Sequence, residues 1–88
     1  MRKLMSAASA EDFELKYYKT TTRGEDGSAI FFGVFVEKYV GGNIVEEAES
    51  GPVCEDDAQI VDIIGRLAEG SVTPFALCEV LDEMQVLA

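Results

Sequence analysis

The chain has no histidine, no tryptophan, two cysteines, two prolines and only seven cationic side chains in 88 residues. Each shortage closes a class of function. Without an imidazole, Ser-His and Cys-His nucleophilic mechanisms fall out together. Cys54 and Cys78 are too few for a disulfide framework and form no CxxC pair. They read as two reduced thiols of a cytosolic protein. The longest strongly apolar run, Ala29 to Val36, is far short of the roughly 20 residues that span a bilayer. The start, Met1 to Ala10, has two bases but no sustained apolar stretch, so it does not read as a secretory signal. A soluble, cytoplasmic protein with no membrane partner is the expectation.

Cations are scarcest where acids are densest. Residues 1–42 hold six acids and six bases, whereas residues 43–88 hold eleven acids and one base, Arg66. The whole formal charge of −10 therefore lies in the second half. Phosphate contacts need Lys and Arg, so direct binding of nucleic acid by that half is excluded. An apolar content of 48% is that of a folded chain and not of an acidic disordered tail.

What is present describes one small α+β domain over residues 12–86, preceded by a frayed N-terminus at residues 1–11. Phe13, Leu15 and Tyr17 alternate with Glu14, Lys16 and Tyr18, a strand with one buried face. Asp26-Gly27 supplies a hairpin turn. Ala29 to Val40 is apolar on both faces through Val36, as a central strand requires, and Gly33 within it marks a bulge or a close approach. Gly41-Gly42-Asn43 turns the chain again. Ile44 to Ser50, with Glu46, Glu47 and Glu49, makes a third, edge strand that Gly51-Pro52 ends. The pattern predicts a three-stranded antiparallel meander.

A helix from about Glu55 to Glu69 follows. Its apolar stripe is Ile60, Ile63, Ile64 and Leu67, with acids in the first turn and Gly70 in the left-handed position past its end. Thr73-Pro74 opens a second helix with Leu77, Val80, Leu81 and Met84 on one stripe. The two-helix hairpin covers one sheet face. Either Phe31, Phe35 and Tyr39 or Phe32, Val34 and Val36 then stay uncovered.

These residues bear on several chemistries. As a helix-turn-helix, the second helix offers Glu79, Asp82 and Glu83 where base-reading cations are needed. No acidic segment has the alternate ligand spacing and central glycine of a calcium loop. The acids fall on exposed faces, not in a cleft that would raise a carboxyl pKa, so neither a hydrolase nor a metal or cofactor site is expected. Cys54 lies at or beside the first helix N-cap, but the three acids after it disfavour a thiolate. Cys78 reads as a small core hydrophobe.

Two surfaces remain as candidate partner sites. Glu55, Asp56, Asp57, Asp82 and Glu83 form an acidic surface suited to a basic protein, or to imitating nucleic-acid phosphates before one. Phe31, Phe35 and Tyr39 form an aromatic sheet face suited to a second copy. The expectation is a non-enzymatic interaction or regulatory protein, with a homodimer or an acidic decoy as the specific forms.

The segments Val53-Cys54-Glu55-Asp56-Asp57, Ile60 to Leu67, Gly70-Ser71-Val72-Thr73-Pro74-Phe75 and Leu77 to Glu83, preceded by Tyr17-Tyr18 and Phe32 to Glu37, resemble a family of small uncharacterised proteins from Gram-positive anaerobic bacteria. The resemblance spans about Phe13 to Met84. Family members tend to show Val-Ser-Pro where this chain has Val72-Thr73-Pro74, and often a histidine shortly after. This chain has Ala76 near that place and no histidine, so no imidazole role carries over. Members tend to have serine at Cys54, which implies an ordinary capping position there. The family has no assigned activity.

Overall fold

A computed structural model describes residues 1–84. The C-terminal limit expected for the domain, residue 86, lies outside the described residues. Four antiparallel strands form one sheet in sequence order: β1 Arg2–Ser9, β2 Glu14–Arg23, β3 Ile30–Val40 and β4 Asn43–Cys54. Helix α1, Asp57–Glu69, a 3₁₀ turn at Pro74–Ala76 and helix α2, Leu77–Glu83, complete the described chain.

The strand count corrects the expectation of three. The additional strand, β1, occupies residues read as a frayed terminus, and it pairs along β2 from Arg2 opposite Thr20 to Ser9 opposite Glu14. Its Leu-Met-Ser-Ala-Ala-Ser composition carries no β-branched or aromatic signal. Pairing with a strongly β-forming neighbour supplies what local propensity lacks. β4 also runs on to Cys54, past Gly51-Pro52. Proline is tolerated there because β4 is an edge strand, and Gly51 takes φ +74 at the irregularity.

Gly33 explains that irregularity. A Cβ on Gly33 would collide with the Gly51 carbonyl oxygen and stand 2.8 Å from Thr20 Oγ1. The β3–β4 register shifts on both sides of Gly33. Ser50 repairs the ladder: its hydroxyl accepts from the Val34 N–H at 2.9 Å and donates to the Gly51 carbonyl at 2.8 Å. The close approach expected at this glycine is therefore real.

Register divides the side chains between two faces. Leu15, Tyr17, Val34 and Val36 are buried against Ile60, Ile63, Ile64 and Leu67 of α1 and Leu77 and Leu81 of α2. Phe32, Val34 and Val36 thus lie under the helices, and Phe31, Phe35 and Tyr39 on the other face. Val80 and Met84, half-buried, pack at the margin of the core. Tyr17 also donates from its hydroxyl to the Val72 carbonyl at 2.8 Å, tying the interhelix turn to the sheet. Burial pushes its pKa up to about 12.

The helix ends depart from the sequence reading in detail. Asp56, not Cys54, is the α1 N-cap, and its carboxylate accepts from the Ala58 N–H at 3.0 Å. Gly70 has φ −88, and the left-handed residue is Ser71 at φ 50. Ser71 N–H bonds the Ala68 carbonyl at 3.1 Å and Val72 N–H the Leu67 carbonyl at 3.0 Å, the paired bonds of a Schellman motif. Val72 must reach back to the core, which moves the motif one residue beyond Gly70. Thr73 and Pro74 open a 3₁₀ turn before α2, and the Thr73 side chain makes no cap bond. Cys78 is exposed, not a core residue, because the buried stripe of α2 runs through Leu77 and Leu81.

Candidate functional site

The uncovered sheet face is not bare. Phe35 is only 5% exposed although no helix lies over it. The Arg2 guanidinium sits 3.7 Å from its ring centroid and reaches on to Glu49 at 3.7 Å. The Tyr18 ring packs against Phe35 with centroids 5.7 Å apart. Lys16 places its ammonium 4.6 Å from the Tyr39 ring centroid. Long side chains of β1 and β2 thereby roof an aromatic row on β3.

An acid lies within this face. Glu37 is 9% exposed and accepts from the Tyr39 hydroxyl at 2.9 Å. Hydrogen bonding to Glu37, helped by desolvation, raises the Tyr18 pKa, and the same two causes raise that of Tyr39. The sequence reading missed this buried carboxylate, held by the Tyr39 hydroxyl, along with Arg2. The signal for Glu37 was present: an acid in the strand expected to be central, opposite Lys16 in register. That for Arg2 was hidden because β1 itself was not foreseen.

The acidic candidates fall on separate elements. Asp56 caps α1, and Asp57 pairs with Lys19 at 2.6 Å. Glu55, Asp82 and Glu83 are exposed, the last two at the end of α2. Helix α1 packs over β1 and β2, whereas the 3₁₀ turn and α2 pack near β4. Nothing brings these carboxylates together around a ligand. Among the described residues, no group of three or more His, Cys, Asp or Glu side chains is placed to hold a metal ion. The Cys54 thiol, half-buried at the end of β4, donates to the Asp56 carbonyl at 3.5 Å.

Ion pairing is sparse. Arg2–Glu49, Lys19–Asp57 and Arg66–Asp62, at 3.7, 2.6 and 3.1 Å, are the salt bridges among the described residues. The chain has seventeen acids. One Glu46 oxygen is buried without a hydrogen-bond partner among the described residues. Phe75, on the 3₁₀ turn one helical turn before Glu79, is 89% exposed. No helix among the described residues is long and apolar enough to cross a membrane.

The chain belongs to a family of unknown function, DUF6514, whose model matches residues 2–86 and so includes β1. No curated protein and no solved structure matches the chain.

Proposed function

We propose that this member of a family of unknown function is a non-enzymatic, cytoplasmic interaction or regulatory protein. The observation that carries the reading is the unspent negative charge. Among the described residues three of the seventeen acids are ion-paired, while Lys16 and Lys38 lie against the rings of Tyr39 and Phe13. Glu55, Asp82 and Glu83 face solvent with no salt bridge among the described residues. Such a surface steers a basic protein toward itself and repels nucleic acid and anionic lipid. A second, narrower reading is a decoy that engages a basic nucleic-acid-binding protein; the same solvent-facing acids favour it.

The test is capture of partners from the source organism's lysate on immobilised protein, washed at low and then high salt, with bound proteins identified by mass spectrometry. A basic protein that elutes with salt supports the reading, and a nucleic-acid-binding one supports the decoy form. Neutralising Glu55, Asp82 and Glu83 together should release it at lower salt. Capture unaffected by salt and by those substitutions contradicts it.

A further inference from the structure

We propose that β1 is a self-association edge, on which a second copy of this chain pairs antiparallel to form a continuous eight-stranded sheet. The inference deepens the interaction reading by naming one partner and its site, and it rests on that reading only for its biological purpose.

The two sheet edges are unlike. β4 carries Glu46, Glu47 and Glu49, a proline at Pro52 and three register irregularities, the usual guards against edge pairing. β1 has no acid and no proline from Arg2 to Ser9. A bulge at Met5, where the register passes from Leu4–Tyr18 to Ser6–Tyr17, is its one irregularity.

That bulge fits a two-fold arrangement. Met1 and Thr21 exchange both backbone bonds, at 2.9 and 3.3 Å, so Met1 and Lys3 aim their backbone groups at β2. Ala10 N–H bonds the Phe13 carbonyl at 2.8 Å, so Ala10, Ala8 and Ser6 also face β2. The residues whose N–H and C=O face outward are therefore Arg2, Leu4, Ala7 and Ser9. When two copies of β1 run antiparallel about an axis between Met5 and Ser6, Arg2 meets the partner's Ser9 and Leu4 meets the partner's Ala7. All four outward residues find outward partners in that one register. Shifting the axis by one residue along the strand leaves at most two matched.

The side chains agree with the backbone. Arg2, Leu4, Ala7 and Ser9 all lie on the open face, opposite Thr20, Tyr18, Lys16 and Glu14 of β2, so each cross-pair shares a face. Leu4, 52% exposed in the single chain, gains an apolar neighbour in Ala7 of the partner subunit. Charge is complementary along the seam. Arg2 is turned inward over Phe35 toward Glu49, so the free cation of the seam is Lys3, which has no salt bridge among the described residues and lies toward the partner's acidic hairpin residues Glu11 and Asp12. Because β4 is guarded, pairing closes at two copies and does not propagate. Two eight-residue strands bury less than a standard interface, so the dimer is weak and concentration-dependent.

Sedimentation equilibrium of the purified protein, from about 10 μM to about 1 mM, tests this directly. The wild type should move toward twice the chain mass across that range. Ala7→Pro removes an outward N–H that the chain itself does not use, and it should abolish the dimer while circular dichroism and the unfolding midpoint show an intact fold. Leu4→Glu, at an exposed position, should weaken association about tenfold or more, and adding Ala7→Lys should restore it across the seam. Should Ala7→Pro fail to fold, the Leu4→Glu pair gives the same reading. A wild type that stays monomeric to about 1 mM, or a dimer that survives Leu4→Glu, overturns the proposal. A monomer that still captures a salt-sensitive partner from lysate would sink β1 pairing while leaving the interaction reading standing.

Discussion

Replacing Gly33 with alanine isolates the steric demand at the β3–β4 irregularity. Gly33 has no positive φ, so alanine meets no backbone strain there, and in open space the change would stabilise by about 0.4–1 kcal/mol through the unfolded chain. The space is not open. The added methyl would collide with the Gly51 carbonyl and crowd Thr20 Oγ1 at 2.8 Å. The obstacle is backbone, anchored by the Ser50 bridge to Val34 and Gly51, so it cannot rotate aside. Overpacking of this kind costs about 1–3 kcal/mol, with more when the backbone must shift, and about 3 kcal/mol is expected here. Against a total stability of about 4–13 kcal/mol for a chain of this length, that is a large fraction. With a urea slope of about 1–1.5 kcal/mol/M, the midpoint should fall by about 2–3 M. Gly65→Ala is the internal contrast: Gly65 lies within α1 with nothing within 4 Å of its added Cβ, so it should gain about 1 kcal/mol. A Gly33→Ala midpoint equal to or above wild type would refute the reasoning, whatever Gly65→Ala does.

Other expectations concern the helix ends and the tyrosines. Ser71→Gly relieves a side chain held at φ 50 and should raise stability by about 1 kcal/mol in urea unfolding. Tyr17→Phe removes the bond to the Val72 carbonyl and should cost about 1–2 kcal/mol, with the loss of protection at the interhelix turn read by hydrogen exchange. All three tyrosines have raised pKa values, Tyr17 to about 12 from 10.0. A raised pKa means that the fold favours the protonated phenol, so this stability is whole below the unfolded value of about 10 and is lost as pH rises through the folded values. Ultraviolet tyrosinate titration should show ionisation of Tyr17 delayed beyond its value in the denatured chain; coincident curves would contradict its burial.

Much of the architecture is legible in the residues because the signals are strong and local. The stripe Ile60, Ile63, Ile64 and Leu67 defines α1, and Asp26-Gly27 and Gly41-Gly42 define the two later hairpins, with Gly27, Gly41 and Gly42 all at positive φ. The β1 strand was not legible, since serine and alanine carry little strand preference and its order comes from pairing with β2. The turn at Ser71 was misplaced by one residue because Gly70 is the better left-handed former locally, and tertiary contact of Val72 decides otherwise. The roofed aromatic face shares the first cause. Arg2 covers Phe35 only because β1 brings it beside Thr20, so an apolar face in the sequence becomes a mixed aromatic and charged one in the fold. The acidic candidates were legible as exposed residues, while the capping role of Asp56 and the pairing of Asp57 with Lys19 depend on where the helix begins.

Residue-resolved amide hydrogen exchange along β1, recorded at low and at high protein concentration, tests the central claim most directly. The structure predicts protection of Lys3 and Ala8 at both concentrations, since their amides face β2. It predicts fast exchange of Leu4, Ala7 and Ser9 in dilute solution, and the proposed pairing of two copies slows them together as concentration rises. Uniformly fast exchange from Arg2 to Ser9 would contradict the strand itself, and outward amides indifferent to concentration would contradict its role as an edge that pairs.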